Sequence, residues 1–247
     1  EKPMAMDVAE ATRMLAAAEA HAVRLYVAEN ASYMPMAKRL RQMVQRGEFV
    51  GELLSVSIIK GFRSPQYGYA GRRAWLAEPE RGGRGTWTLH GIHTVGQMRY
   101  VLGEVQTVYM REHKGRAYQR GDVEGTMSGT LTLTSGVHVS LVQTAEIKLY
   151  GDLGGYVLHG DRGSVRAGEE RFCVFNDEYD GVEMAYPPEE ISSYAQELEA
   201  FADYVLEGVE GPTTGQMERR SLAVVEAGYE SAATGVPVDL AQHFAAL

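Results

Sequence analysis

The sequence predicts a mixed α/β (α+β) chain, in which the remnant of a parallel βαβ unit precedes a large, mostly antiparallel open sheet with helices on one face. Three observations predict this. Residues 1–30 hold one helical pattern and one short apolar run; after Gly51 the hydrophobic period changes from helical to twofold; and the turn sequences Thr134-Ser135-Gly136 and Asp161-Arg162-Gly163 separate strand-like runs.

Asp7 to Ala20 has helical spacing, with Met6 or Asp7 near its start, and Ala22 to Ala28 contains the apolar run VRLYVA. A strand returning after a helix is the end of a right-handed βαβ crossover. Pro3 suits a first helical turn, because its ring presets φ and the N–H it lacks would be unpaired there. A second helix runs from Pro35 to Arg46, with Met36, Leu40, Met43 and Val44 on one stripe, and stops at Gly47, which suits a left-handed cap. Leu53 to Ile59 alternates as a strand with one covered face. A helix over Thr86–Leu102 interrupts the strands, which resume at Val105–Arg111, Gly125–Thr134, Val137–Ile147, Gly155–His159, Gly163–Arg166 and Phe172–Phe175. Two helices close the pattern, Ser192–Glu207 before Gly208 and Gly215–Thr234 before Gly235, with Phe201, Tyr204 and Leu206 read as core.

At 247 residues and 45% hydrophobic content the chain can bury a sizeable core. A net charge of −9 without a basic run argues against a nucleic-acid partner and leaves a small molecule as the expected one. Cys173 is the single cysteine, which excludes an internal disulfide framework and suits a reducing compartment, here read as cytoplasm. No apolar run approaches the roughly 18 residues of a membrane span, and the start has no secretory-signal pattern.

Few residues stand out as candidates for chemistry. Lys2, between Glu1 and Pro3, is placed to present its ammonium at a sheet's carboxyl edge, though a lysine that merely pairs with Glu1 is the plainer alternative. His90 and His93 share one helix face after the glycine-rich run Gly82-Gly83-Arg84-Gly85, so the first amides and positive end of that helix are expected to face a cofactor cleft. A metal is not expected, because no third ligand stands in register with the two histidines. Asn30 and Tyr33 follow the apolar run of the second strand, where Asn30 can hydrogen-bond a polyol and Tyr33 can stack on a ring; turn chemistry is the alternative for Asn30. Arg63, Arg72 and Arg73 are phosphate or acid contacts, or ordinary surface arginines.

Several segments, in order, resemble one family. Glu1-Lys2-Pro3, Val27-Ala28-Glu29-Asn30 with Tyr33 and Pro35, Gly47 to Glu52, Trp75 to Glu80, Gly82 to Thr86, Gly91-Ile92-His93, Leu102 to Val105, and the tail Thr234-Gly235-Val236-Pro237-Val238 are similar to the Gfo/Idh/MocA superfamily (glucose–fructose oxidoreductase, inositol dehydrogenase, rhizopine catabolism). The resemblance implies an NAD- or NADP-dependent oxidoreductase. Residues 1–30 would be the C-terminal remnant of a Rossmann domain, and residues 31–247 a substrate-binding and oligomerisation domain that forms a homodimer or homotetramer through its open sheet face. It further implies Lys2 and His93 as catalytic residues, with Lys2 beside the nicotinamide and His93 moving the proton of the reacting hydroxyl. Glu1, Lys2, Pro3 and Trp75 would lie at the cofactor, Trp75 being equally readable as a core anchor, and Asn30, Tyr33 and His90 at a sugar-like or polyol substrate. No G-x-G-x-x-G occurs, so a pyrophosphate-binding segment is expected upstream of Glu1.

Two departures matter. Four residues before His93, where the family has an aspartate, this chain has Leu89; three residues after it, at a further acidic position, stands Gly96. Leucine can neither orient an imidazole nor relay a proton. Three functions follow: a dehydrogenase or reductase acting on a carbinol carbon of a sugar, cyclitol or cyclic diol; a non-catalytic ligand-binding relative; or an oligomerisation module whose open sheet meets a copy of itself.

Overall fold

Asp7 caps the first helix, its carboxylate accepting the Glu10 N–H at 2.7 Å, so α1 (Val8–Ala20) begins well after Pro3. Pro3 therefore does not occupy the first helical turn; the Lys2–Pro3 peptide is cis and lies in the non-helical lead-in. The computed structural model describes residues 1–61, 75, 78–82, 84–114, 123–147, 149, 154–244 and 247.

The strand expected over residues 22–28 is reduced to one antiparallel bridge, Tyr26 to Thr214. Its backbone is satisfied by a loop instead of a sheet, with Val27 N–H on Thr213 O and Gly215 N–H on Leu25 O, each at 2.9 Å. An apolar run becomes a ladder strand only where a second strand lies alongside, and among the described residues none does. α2 (Pro35–Arg46) matches its stripe, burying Met36, Leu40 and Met43, and ends at Gly47, whose φ of 59° is the left-handed cap glycine permits.

Nine strands form one sheet among the described residues: β1 (Leu53–Gly61), β2 (Val105–His113), β3 (Thr126–Leu133), β4 (His138–Thr144), β5 (Gly155–Gly160), β6 (Gly163–Ala167), β7 (Arg171–Asn176), β8 (Asp180–Ala185) and β9 (Val238–Asp239). Their order is β8-β7-β6-β5-β1-β4-β3-β2-β9, and every neighbouring pair is antiparallel except β1 with β4. In that parallel pair Val56 lies beside Val139, Ile58 beside Leu141 and Lys60 beside Gln143. The apolar residues Val56, Ile58, Val139, Leu141, Leu158, Val165 and Val174 are buried, while the alternate positions Ser55, Ser57, Ser140 and Thr130 are not. β8 escaped the sequence reading because it is an edge strand exposed along nearly its whole length and so carries no alternation.

The remaining helices are α3 (Pro79–Gly82), α4 (Ile92–Leu102), α5 (Ser193–Glu207), α6 (Gly215–Thr234) and α7 (Leu240–His243), of which α6 and α7 pack on β2. α4 is preceded by a π-helical turn, Trp87–Gly91, within the single helix the sequence predicted. Thr94 on α4 donates to Gln143 Oε1 at 2.7 Å, and Ser231 on α6 accepts the Met110 N–H at 3.0 Å, which docks both helices on the sheet. Trp87 is fully buried between them, its indole N–H on Val225 O at 3.1 Å. The reading of Phe201, Tyr204 and Leu206 as core is corrected: Leu206 is 80% and Leu198 65% exposed, and Phe201 is also exposed. α5 meets the short turn Ala31–Tyr33, and the Tyr26 ring lies 5.7 Å from that of Phe201 and 5.8 Å from that of Tyr204, while Leu198 and Leu206 stay exposed among the described residues.

Candidate active site

The turn carrying His90 and His93 is anchored by a carboxyl from a distant loop. Buried Glu124 accepts the N–H of Thr86 at 2.9 Å and of Trp87 at 2.8 Å, and the hydroxyl of Tyr229 at 2.7 Å. Tyr229 in turn meets Thr88 Oγ1 at 2.9 Å. Three donors against one buried carboxyl fix the helix start, an acidic cap on the positive end of the helix. Burial nonetheless pushes the Glu124 carboxyl up to about 7, against the pull of its hydrogen bonds to Trp87, Tyr229 and Thr86. This corrects the expectation that the first amides of this helix face a cofactor: those of Thr86 and Trp87 are spent on Glu124.

Lys2 reaches the same turn from the start of the chain. Its ammonium donates to the Leu89 carbonyl at 2.5 Å, which places it beside His90 and His93. Burial holds the Lys2 ammonium below its ordinary value, partly offset by the negative charges of Glu29 and Glu1. An ammonium has three donors, and the bond to Leu89 uses one, leaving two for a ligand hydroxyl. The His90 and His93 ring centroids are 6.5 Å apart. Burial, the Lys2 ammonium and His93 push the His90 imidazole down to about 3, so it is neutral at physiological pH.

His93 faces Glu29. Its Nδ1 lies 2.7 Å from Glu29 Oε1 and 2.6 Å from Oε2, and Oε1 also accepts the Ala31 N–H at 2.8 Å. The Glu29 side chain is fully buried, whereas that of His93 is 31% exposed. Oε2 is close enough for an ion pair but has no aligned hydrogen bond of its own. Below this pair, Glu218 from α6 stands at Gly96: a Cβ built there would be 3.8 Å from Glu218 Oε1. Burial, reinforced by Glu29 and opposed by Arg99, pushes the Glu218 carboxyl up to about 8, which keeps it protonated at neutral pH.

The fold is one that other proteins share. The family model of the GFO/IDH/MocA C-terminal domain matches residues 37–166, more than half of the chain. The chain belongs to the GFO/IDH/MocA family. Among the relatives of this family member is the uncharacterized oxidoreductase YrbE of Bacillus subtilis (strain 168), 26% identical over 253 residues, covering 97% of this chain and 70% of that protein. An oxidoreductase from Agrobacterium radiobacter, solved in complex with NAD+, L-tartaric acid and magnesium, superimposes with a TM-score of 0.83 at 23% identity, covering 98% of this chain and 72% of that one. The aldose–aldose oxidoreductase from Caulobacter crescentus, complexed with glycerol, gives a TM-score of 0.82 at 22% identity, covering 96% and 70%.

Of the residues singled out in the sequence, the structure brings Lys2, His90 and His93 together. Asn30 lies one residue beyond Glu29, but its side-chain amide donates to Ser193 Oγ at 3.0 Å. Tyr33 is buried, its hydroxyl bonded to that of Tyr26, and burial raises it well above its ordinary value. Its ring is thus a packing element under the turn. Glu1 is exposed, Pro3 half-buried, and Trp75 over a third exposed, with its carbonyl accepting the Glu78 N–H at 3.0 Å. Arg63, Arg72 and Arg73 lie outside the described residues. Among the described residues no group of three or more His, Cys, Asp or Glu side chains is arranged to hold a metal, and no helix is long and apolar enough to cross a membrane.

The sequence reading gave Glu29, Glu124, Glu218 and Tyr229 no role. A carboxylate directly after an apolar run, as Glu29 is after Val27-Ala28, was the one local signal available. The other three act over long stretches of chain, Glu124 on Thr86 across 38 residues and Tyr229 on Thr88 across 141, which no local pattern encodes.

Proposed function

We propose that this chain is the catalytic and sheet portion of an NAD(P)-dependent dehydrogenase or reductase acting on a carbinol or carbonyl carbon of a sugar, cyclitol or cyclic diol. The observation that carries the reading is the convergence of the Lys2 ammonium, two imidazoles and a buried carboxyl on one helical turn. Residues 1–30 would close a dinucleotide-binding domain and residues 31–247 hold substrate. The exposed apolar side chains of α5 are a surface such a domain would cover. The donor set fits the reacting end of a nicotinamide and a substrate hydroxyl; the sequence has no glycine fingerprint for a pyrophosphate, so nothing here is assigned to that end. The nicotinamide, when bound, supplies the hydride chemistry.

The chain's own residues then have defined tasks. His93, with Nδ1 turned to Glu29, presents Nε2 to accept or return the proton of the reacting hydroxyl. Lys2 donates to that oxygen and stabilises negative charge developing there. His90, neutral, adds a hydrogen bond without a competing charge. The open sheet face, lined by Ser55, Ser57, Thr130 and Ser140, is the surface through which copies would pair as a homodimer or homotetramer, in the cytoplasm. A non-catalytic relative is the second reading, favoured by Leu89.

The test is stoichiometric NAD(H) binding, then a turnover screen against aldoses and cyclic polyols, on the polypeptide that includes a dinucleotide-binding domain. Lys2→Ala is expected to lower turnover by about a hundredfold with less effect on KM. Unchanged turnover removes Lys2 from the mechanism, and absence of NAD(H) binding favours the non-catalytic reading.

A further inference from the structure

Leu89 leaves the helix without the acid that a catalytic imidazole requires, yet His93 is not without one. We propose that Glu29 is the positioning residue for His93: a carboxyl supplied by the loop before α2, in place of the one lost from the helix, that holds the proton of the neutral imidazole on Nδ1 and turns Nε2 to the substrate. This rests on the dehydrogenase reading only for its consequence in turnover; the geometry stands apart from it.

Both carboxyl oxygens lie within 2.7 Å of Nδ1, and the side chain is fully buried while the imidazole is partly exposed. The acid therefore sits behind the ring and the solvent-facing edge is free to react. A buried carboxyl is costly unless its lone pairs are used, and among the described residues the hydrogen-bond partners of Glu29 are the Ala31 N–H and His93 Nδ1. The Ala31 bond fixes Oε1 and with it the direction of the acceptor. Replacing the imidazole proton on Nδ1 by a lone pair would set lone pair against lone pair at under 3 Å, so the environment selects one tautomer.

The local backbone shows why the acid comes from elsewhere. The π-helical turn Trp87–Gly91 widens the helix ahead of His93, interrupting the regular spacing by which a side chain four residues earlier would meet the ring. The Leu89 carbonyl is used instead, as the acceptor for Lys2. The groups facing this pair are Lys2 and Glu1 from the start of the chain, His90 from the turn, Glu197 from α5 and Glu218 from α6. None of them is a hydrogen-bond partner of His93 Nδ1.

The experiment is a nitrogen–proton NMR correlation on isotope-labelled chain at a pH where the imidazoles are neutral. The unsubstituted chain is expected to show His93 protonated at Nδ1 with a pyridine-like Nε2; protonation at Nε2 overturns the proposal, whether or not any variant folds. Glu29→Leu, which removes the acceptor that faces Nδ1, is expected to shift the proton towards Nε2, and an unmoved tautomer in the folded variant also overturns it. In the NAD(P)-dependent enzyme the same substitution lowers turnover on the order of a hundredfold with little change in KM. The expected tautomers in a protein that binds no NAD(H) would sustain this assignment and refute the dehydrogenase reading.

Discussion

Glu218→Gln isolates the energetic cost of a buried acid at the base of the site. Glu218 is 2% exposed, and its carboxyl is pushed from 4.5 up to about 8. Between those values the folded chain holds a proton that the unfolded chain has released. Stability from the neutral carboxyl is therefore fully present below pH 4.5 and is lost as pH rises towards 8. Each pH unit in that window costs about 1.4 kcal/mol, so from pH 5 to pH 8 the parent chain should lose about 4 kcal/mol relative to Glu218→Gln. Glu124, raised to about 7, and His90, lowered to about 3, also give the parent a pH dependence, but both are present in the variant and cancel in the difference. The assay is urea unfolding of both chains at pH 5, 6, 7 and 8, read as the difference in unfolding free energy. The size of the difference at any single pH includes how well the amide packs, so the test is its change with pH. Parallel pH profiles would refute the reasoning, because they would mean that Glu218 ionises in the folded chain as readily as in the unfolded one.

Two glycines in neighbouring turns should respond with opposite sign. A Cβ at Gly91 would lie 2.3 Å from the Trp87 ring, so Gly91→Ala is expected to cost about 1–3 kcal/mol by overpacking; at Gly96 the nearest atoms are 3.6 and 3.8 Å away, and Gly96→Ala should gain about 0.5–1 kcal/mol of helix propensity, both read by thermal unfolding. Lys60 is largely buried beside the Tyr156 ring, 5.6 Å from its centroid, and burial lowers its ammonium's ordinary value, partly offset by Glu169; Lys60→Met should raise the melting temperature, and a lowered one would point to an ion pair that Lys60 needs.

Helix α2 with its glycine cap, helix α6 and strands β1 to β7 were legible in the sequence because each satisfies its own backbone or shows its own alternation over a few residues. The region 22–28 was misread for the same reason: its apolar run is real, but a strand is a property of two segments, and the partner it meets is the loop at Thr213. α5 carries an apolar stripe that the described residues do not cover, which no pattern within the helix could reveal. At the site, residue types and a resemblance singled out Lys2, His90 and His93. They also flagged Leu89 as standing where the resemblance implies an acid, which says nothing about side chains arriving from elsewhere.

What the sequence by itself determined is the series of elements and the helix that carries His90 and His93, since capping, periodicity and turn chemistry act between residues a few positions apart. Only the tertiary structure decided which carboxyl meets His93. Glu29 is 64 residues from His93 along the chain and 2.7 Å from it in space, Glu124 caps the helix from the far side of a long connection, and Glu218 fills the place beside Gly96 from another helix. Such contacts form because a carboxyl withdrawn from water must find a donor or keep its proton, and which donor it finds is settled by packing rather than by order along the chain.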